Sequence, residues 1–152
     1  MARVRGFEIA KGWEDQGIII PKRSTTHAAG YDIAAAEDTV VPAFRPGIKP
    51  TLIATGLKAY FPPDECLLLI NRSSSPKKGL VMANGIGLID ADYYNNSDND
   101  GHFQVIFYNC GTEDYTIKKG DRIAQVVFQK FLKTDDDQDT HNERLSGIGS
   151  TN

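Results

Sequence analysis

Leu80-Val81-Met82-Ala83-Asn84-Gly85-Ile86-Gly87-Leu88-Ile89-Asp90 holds two short apolar runs on either side of Asn84-Gly85. Asn-Gly is the strongest two-residue turn signal in β structure, because both residues tolerate a positive φ. The stretch therefore reads as a hairpin whose second strand ends in the carboxylates Asp90 and Asp92 and the ring of Tyr93. The same texture extends in both directions. Short β-prone runs stand at residues 3–9, 18–20, 39–41, 52–55, 57–61, 66–71, 80–82, 87–89, 103–108, 115–117 and 123–132, separated by Gly, Pro, Asn and Asp. Turn signals recur at the ~8–12-residue spacing of sandwiches and barrels. No window of helical length carries an i, i+3, i+4, i+7 apolar stripe, and the best helix candidate, residues 73–78, is one or two turns. The expected fold class is all-β, a barrel or sandwich of short strands.

Composition narrows the function. The 152 residues carry 17 Lys and Arg against 20 Asp and Glu, a net charge of −3. Without a basic surplus the chain is not expected to bind nucleic acid through its phosphate backbone. Its longest apolar stretch, Cys66 to Ile70, is far short of a bilayer span, so no membrane partner is expected. Residues 1–13 contain no apolar block of a secretory signal. Cys66 and Cys110 have no partner at metal spacing and read as free thiols. A small, soluble protein of the cytoplasm is the expectation (host cytoplasm, if the gene is viral).

The composition shifts once. Residues 1–132 form the expected barrel domain, and 133–152 an acidic tether (Asp135, Asp136, Asp137, Asp139) running into Gly147, Gly149, Ser150 and Thr151. This tail reads either as a frayed end or as a mobile arm that closes over a ligand.

Several signals lead nowhere. Gly85-Ile86-Gly87 lacks the third glycine and the helix of a dinucleotide loop. Residues 96–101 resemble the first half of a calcium loop, but Phe107 occupies the position of its bidentate Glu. His27, His102 and His141 have no zinc spacing, and Ser73, Ser74 and Ser75 sit in no nucleophile elbow.

Three segments remain. Asn71-Arg72-Ser73-Ser74-Ser75 puts a guanidinium fork and hydroxyls at a strand end, which suits phosphate capture or an ordinary turn. Asp90 could orient a water and take its proton while Tyr93 packs on a sugar or base; equally, they could be a turn cap and a core ring. Gln125 is a polar residue in an apolar run, facing either a ligand or solvent.

Taken in order, these segments resemble the trimeric dUTPase family. Ala28-Ala29-Gly30-Tyr31-Asp32-Ile33 is similar to its first motif and Arg72-Ser73-Ser74 to its second. Gly87-Leu88-Ile89-Asp90-Ala91-Asp92-Tyr93, preceded by Asn84, is similar to the third. Gly120-Asp121-Arg122-Ile123-Ala124-Gln125 resembles the fourth, and Arg144 with Gly149-Ser150-Thr151 the fifth. Ile148 stands where the family usually carries Phe, and residues 94–102 are longer than its usual short turn.

The resemblance implies a jelly-roll-like β-barrel of short strands, assembled as a homotrimer with active sites shared between subunits. It implies Mg²⁺-dependent hydrolysis of dUTP to dUMP and pyrophosphate by water attack on the α-phosphate, keeping uracil out of DNA. Asp90 would then activate the water and contact the 3′-hydroxyl. Tyr93 would exclude a 2′-hydroxyl, and the backbone through Asn84, Gly87 and Ile89 would read uracil. Arg72, Ser73 and Ser74 would hold phosphates, with Gln125 near the α-phosphate and the water. Asp32 would meet Mg²⁺ through water, while Arg144, Gly149, Ser150 and Thr151 would clamp the outer phosphates of a neighbouring subunit's site. The loop from Asn95 to Gly101 reads as a surface insertion or as a contact for a protein partner. The rival within the fold is dCTP deaminase, whose catalytic Glu precedes Phe-Tyr-Asn; here Ile106 precedes Phe107-Tyr108-Asn109. A non-enzymatic regulator on the same fold is the rival of another class.

Overall fold

A computed structural model of the protein describes residues 2–138. Ten strands run in the order β1 (Gly6–Ile9), β2 (Tyr31–Ala34), β3 (Thr39–Val41), β4 (Thr51–Tyr60), β5 (Glu65–Asn71), β6 (Leu80–Met82), β7 (Gly87–Asp90), β8 (Phe103–Asn109), β9 (Tyr115–Ile117) and β10 (Arg122–Lys130). Two four-stranded antiparallel sheets, β1-β4-β8-β6 and β2-β10-β5-β7, face each other, and β3 pairs with β9. From β4 to β8 each successive strand changes sheet. That alternation makes the all-β fold jelly-roll-like rather than a meander. Ile33, Ile53, Leu57, Leu67, Val105, Phe107 and Val126 meet between the sheets, each at most 2% exposed. No helix among the described residues is long and apolar enough to cross a membrane.

The Asn84-Gly85 hairpin is not formed. β6 pairs with β8 and β7 with β5, so the turn passes from one sheet to the other. Gly85 has φ +72° while Asn84 is not in the left-handed region, which excludes the hairpin turn that needs both. Instead the Ile86 N–H donates to the Asn84 carbonyl at 2.9 Å, closing a three-residue γ-turn about Gly85. Strands of three and four residues paired only with each other would be marginal, and separate partners let both cover the core.

Other expectations shift for similar reasons. Residues 52–55 and 57–61 form one strand, β4, joined by a bulge between Ala54 and Leu57. Residues 18–20 form no strand; Ile18 packs on the core and Ile19 is 81% exposed. β2 was not expected, because Asp32 interrupts its apolar pattern; its strand identity comes from pairing with β10. The helix candidate at 73–78 shrinks to a single 3-10 turn, Pro76–Lys78. Buried Glu65 is matched by the Arg5 fork at 2.7 and 3.0 Å, and this bidentate bond holds its carboxyl below the usual range.

Candidate active site

A cavity of about 370 Å³ opens beside β7. Asn84, Gly87, Ile89, Asp90 and Tyr93 line it together, so five of the sequence-predicted residues converge on one space. β7 is the outermost strand of its sheet, with β5 on one side only. Its outer row of backbone N–H and C=O groups has no neighbouring strand among the described residues, and such a row can pair with the polar edge of a planar ring.

Asp90 ends β7 opposite Cys66, and the chain then enters the 3-10 turn Ala91–Tyr93. Asp90 is exposed whereas Cys66 is buried. Burial first, and the Asp90 charge second, push the Cys66 thiol up, so it stays protonated beside the carboxylate.

A second cluster lies at the far end of β5. Gln125 on β10 stands opposite Asp32 on β2 and opposite Ile70 on β5, one step from Asn71. The register slips between Arg122 and Ala124, a bulge just before Gln125. The Arg72 guanidinium donates to the Arg122 carbonyl at 3.1 Å, and Arg122 lies 3.8 Å from the Asp32 carboxylate. Gly30 lets Gln125 lie flat here, since a Cβ would sit 2.6 Å from the Gln125 Oε1. Ser73 is exposed and Ser74 half-buried on the turn that follows Arg72. Arg144, Gly149, Ser150 and Thr151 lie outside the described residues.

The two clusters do not meet within one chain. Asp90 is level with Cys66 on β5, six residues from Arg72, which is roughly 20 Å of strand at ~3.3 Å per residue. A base and a phosphate ligand that serve one phosphorus must lie within a hydrogen bond or one water of it.

Sequence reasoning did not place Leu52, Asn99, His102, Phe103, Gln104 and Ile106 at the cavity, which they line together with Leu69 and Leu88. Gln104 alone carried a signal, as an amide in the apolar run 103–108. His102 is tied to the β4 bulge, where the Gly56 and Thr55 N–H groups, displaced from the ladder, donate to its Nε2 at 2.9 and 3.3 Å. Its ring packs against Trp13 at 5.3 Å. Burial pushes the imidazole down to about 4.

The unfolded chain therefore binds a proton that the folded chain refuses between pH 6.5 and 4. Stability from this group is full above pH 6.5 and lost as pH falls toward 4, less than about 3 kcal/mol for a partly exposed ring. Urea unfolding at pH 7 and 4.5 is expected to give a smaller pH-dependent loss in His102→Gln than in the wild type. Equal losses would contradict this.

In the loop 95–101 Asn96, Asn99 and Asp100 turn inward, while Asn95, Ser97 and Asp98 are exposed. Asn96 is buried, and its amide donates to the Tyr93 carbonyl and to Asn99 Oδ1, each at 2.7 Å. Lys58 on β4 clamps the loop through Asp100 at 2.7 Å and Asn95 at 2.6 Å. Asn96 and Asn99 serve the loop's own turn, and Asn95 and Asp100 its tie to β4, so nothing in its geometry supports a protein partner.

A family model described as dUTPase matches residues 16–152. The deoxyuridine 5'-triphosphate nucleotidohydrolase of Lactococcus lactis subsp. lactis (strain IL1403) is 51% identical over 152 residues, covering 98% of each chain. This chain belongs to the dUTPase family. The crystal structure of the dUTPase from Streptococcus mutans superposes with a TM-score of 0.79 at 43% identity, covering 86% of this chain and 98% of that one. A nucleotidohydrolase of the same name from Paramecium bursaria Chlorella virus 1 is 36% identical over 119 residues, covering 76% of this chain and 74% of its own. The dUTPase from phage phi11 of S. aureus shares the fold with a TM-score of 0.71 at 21% identity, covering 93% of this chain and 99% of that one. The cavity beside β7 is lined by residues of the segment that resembles the third motif of the dUTPase family.

Proposed function

We propose that this dUTPase-family chain hydrolyses dUTP to dUMP and pyrophosphate, with Asp90 activating the water that attacks the α-phosphorus. The observation that carries the proposal is the convergence of Asn84, Gly87, Ile89, Asp90 and Tyr93 on one cavity along a sheet edge. Uracil pairs with the outer backbone row of β7. Fixed donors and acceptors reject cytosine, because the wrong ring leaves polar groups unpaired. Tyr93 packs on the deoxyribose and leaves no room for a 2′-hydroxyl. Asp90, at the strand end, takes the proton of the attacking water.

Arg72, Ser73, Ser74 and Gln125 hold the phosphates. Since they lie roughly 20 Å from Asp90 in one chain, a second copy supplies them to each pocket. A homotrimer with shared sites satisfies that requirement, each subunit giving its pocket to one neighbour and its phosphate ligands to another. The segment 133–152 serves as the arm, with Arg144, Gly149, Ser150 and Thr151 clamping the outer phosphates. Residues 1–132 form the barrel. The reaction belongs in the cytoplasm, where dUTP would otherwise supply uracil to DNA.

The family supports a divalent metal. No group of three His, Cys, Asp or Glu side chains capable of caging an ion exists among the described residues. A lone carboxylate, Asp32, half-buried beside Gln125, fits Mg²⁺ that is held chiefly by the substrate phosphates and met through water. When bound, Mg²⁺ neutralises charge on the leaving pyrophosphate. Deamination of dCTP has no support: Ile106, a cavity-lining hydrocarbon, occupies the position where that reaction needs its carboxylate.

Pyrophosphate release measured with dUTP, dCTP, UTP and dTTP tests the assignment. Turnover of dUTP at least about 100-fold above each of the others is expected, since unpaired buried polar groups discriminate on that scale. Comparable rates with dCTP or UTP would overturn it.

A further inference from the structure

The Tyr93 ring is held from outside the motif that contains it. Its hydroxyl donates to the His102 carbonyl at 3.0 Å and accepts from the Asn99 amide at 2.6 Å. The direction of the second bond follows from the rest of the Asn99 side chain. Asn99 Oδ1 already accepts from the Asn96 amide at 2.7 Å and from the Gly101 N–H at 3.1 Å. Only Nδ2 remains to face Tyr93, so the phenol oxygen is the acceptor there and its proton goes to His102. With one bond given and one received, the ring is fixed in rotation as well as in place.

Both supports are themselves braced. His102 is anchored on the β4 bulge by Gly56 and Thr55. Asn99 sits in a loop closed on itself by Asn96 and fastened to β4 by the Lys58–Asp100 ion pair at 2.7 Å. The Lys11 N–H adds a third tie to Asp100 at 2.8 Å. Asn99 also lines the cavity beside Tyr93 and His102.

We propose that Asn99 is a positioning residue that sets the sugar selectivity of the pocket by holding the Tyr93 phenol against the deoxyribose position. The proposal rests on the reading of Tyr93 as the group that excludes a 2′-hydroxyl. A ring held by two bonds is a rigid wall, and exclusion by a wall requires that it cannot tip away. Without the Asn99 bond the phenol end of the ring is held less tightly and yields to the extra oxygen. The excess residues 94–102 thus act as a brace for the sugar pocket.

Asn99→Ala removes the amide that donates to the Tyr93 hydroxyl and puts nothing in its place. Asn99→Ser, too short to reach the phenol, gives the same test with a polar side chain kept in the loop should the first variant fold poorly. The readout is the ratio of kcat/KM for dUTP to that for UTP, with Tyr93→Ala as reference. We expect both Asn99 variants to lower the ratio at least about tenfold, the scale of one lost hydrogen bond, mainly through improved use of UTP. A merely structural role would depress both substrates together and leave the ratio unchanged, which would overturn the proposal. If Tyr93→Ala collapses the ratio while both Asn99 variants keep it within about twofold, the sugar-packing reading stands and the bracing role falls. If Tyr93→Ala itself leaves the ratio intact, the underlying reading of Tyr93 fails, and the proposal with it.

Discussion

Asp90→Asn is expected to lower kcat for dUTP by about 10³-fold, within the range that a positioned general base contributes. The amide has the shape of the carboxylate but cannot take the proton of the attacking water. Asp90 is exposed at the end of an edge strand, so the substitution opens no hole in the core. KM is therefore expected to change by no more than a few-fold, and thermal unfolding to stay at the wild-type midpoint. The loss belongs to kcat because the proton transfer occurs only on the way to the transition state. Steady-state pyrophosphate release measures both constants. A variant within about threefold of wild type would place the base elsewhere.

Much of the strand inventory was legible because a period-2 apolar pattern is a local property. Residues 39–41, 80–82 and 115–117 are strands with the bounds the pattern gave. Pairing was not legible. Asn84-Gly85 is a turn, as its chemistry dictates, yet whether a turn closes a hairpin or crosses between sheets depends on which edges are already taken. β2 shows the same limit, for Asp32 weakens it locally and only β10 makes it a strand.

The pocket residues 84–93 were readable because they are contiguous and chemically distinct. Their supports were not. His102 works through a bulge on β4, and Asn99 through a loop whose polar residues look like an ordinary solvent-exposed insertion in one dimension. Asp32, Arg72 and Gln125, proposed to face the phosphates, stand in separate segments, and sequence alone gives no hint that they gather on one side and Asp90 on the other.

That separation yields the second large effect. Asp90→Asn and Arg72→Ala are each expected to be nearly inactive as pure proteins. In mixed oligomers, a site that takes Asp90 from one copy and Arg72 from another is intact when Asp90 comes from the Arg72→Ala parent and Arg72 from the Asp90→Asn parent. A cyclic trimer containing both chains has one such site in three, whichever chain is in excess. The two variants, carrying different affinity tags, are co-expressed and purified through both tags in series, so every oligomer assayed contains both chains. Its dUTP turnover per site is the measurement. Recovery to about a third of the wild-type rate is the predicted result, since the two tags remove the pure trimers and each mixed trimer holds one whole site in three. Turnover no higher than the mean of the two inactive parents would mean that Asp90 and Arg72 serve the reaction from one chain, and would contradict a site built between copies.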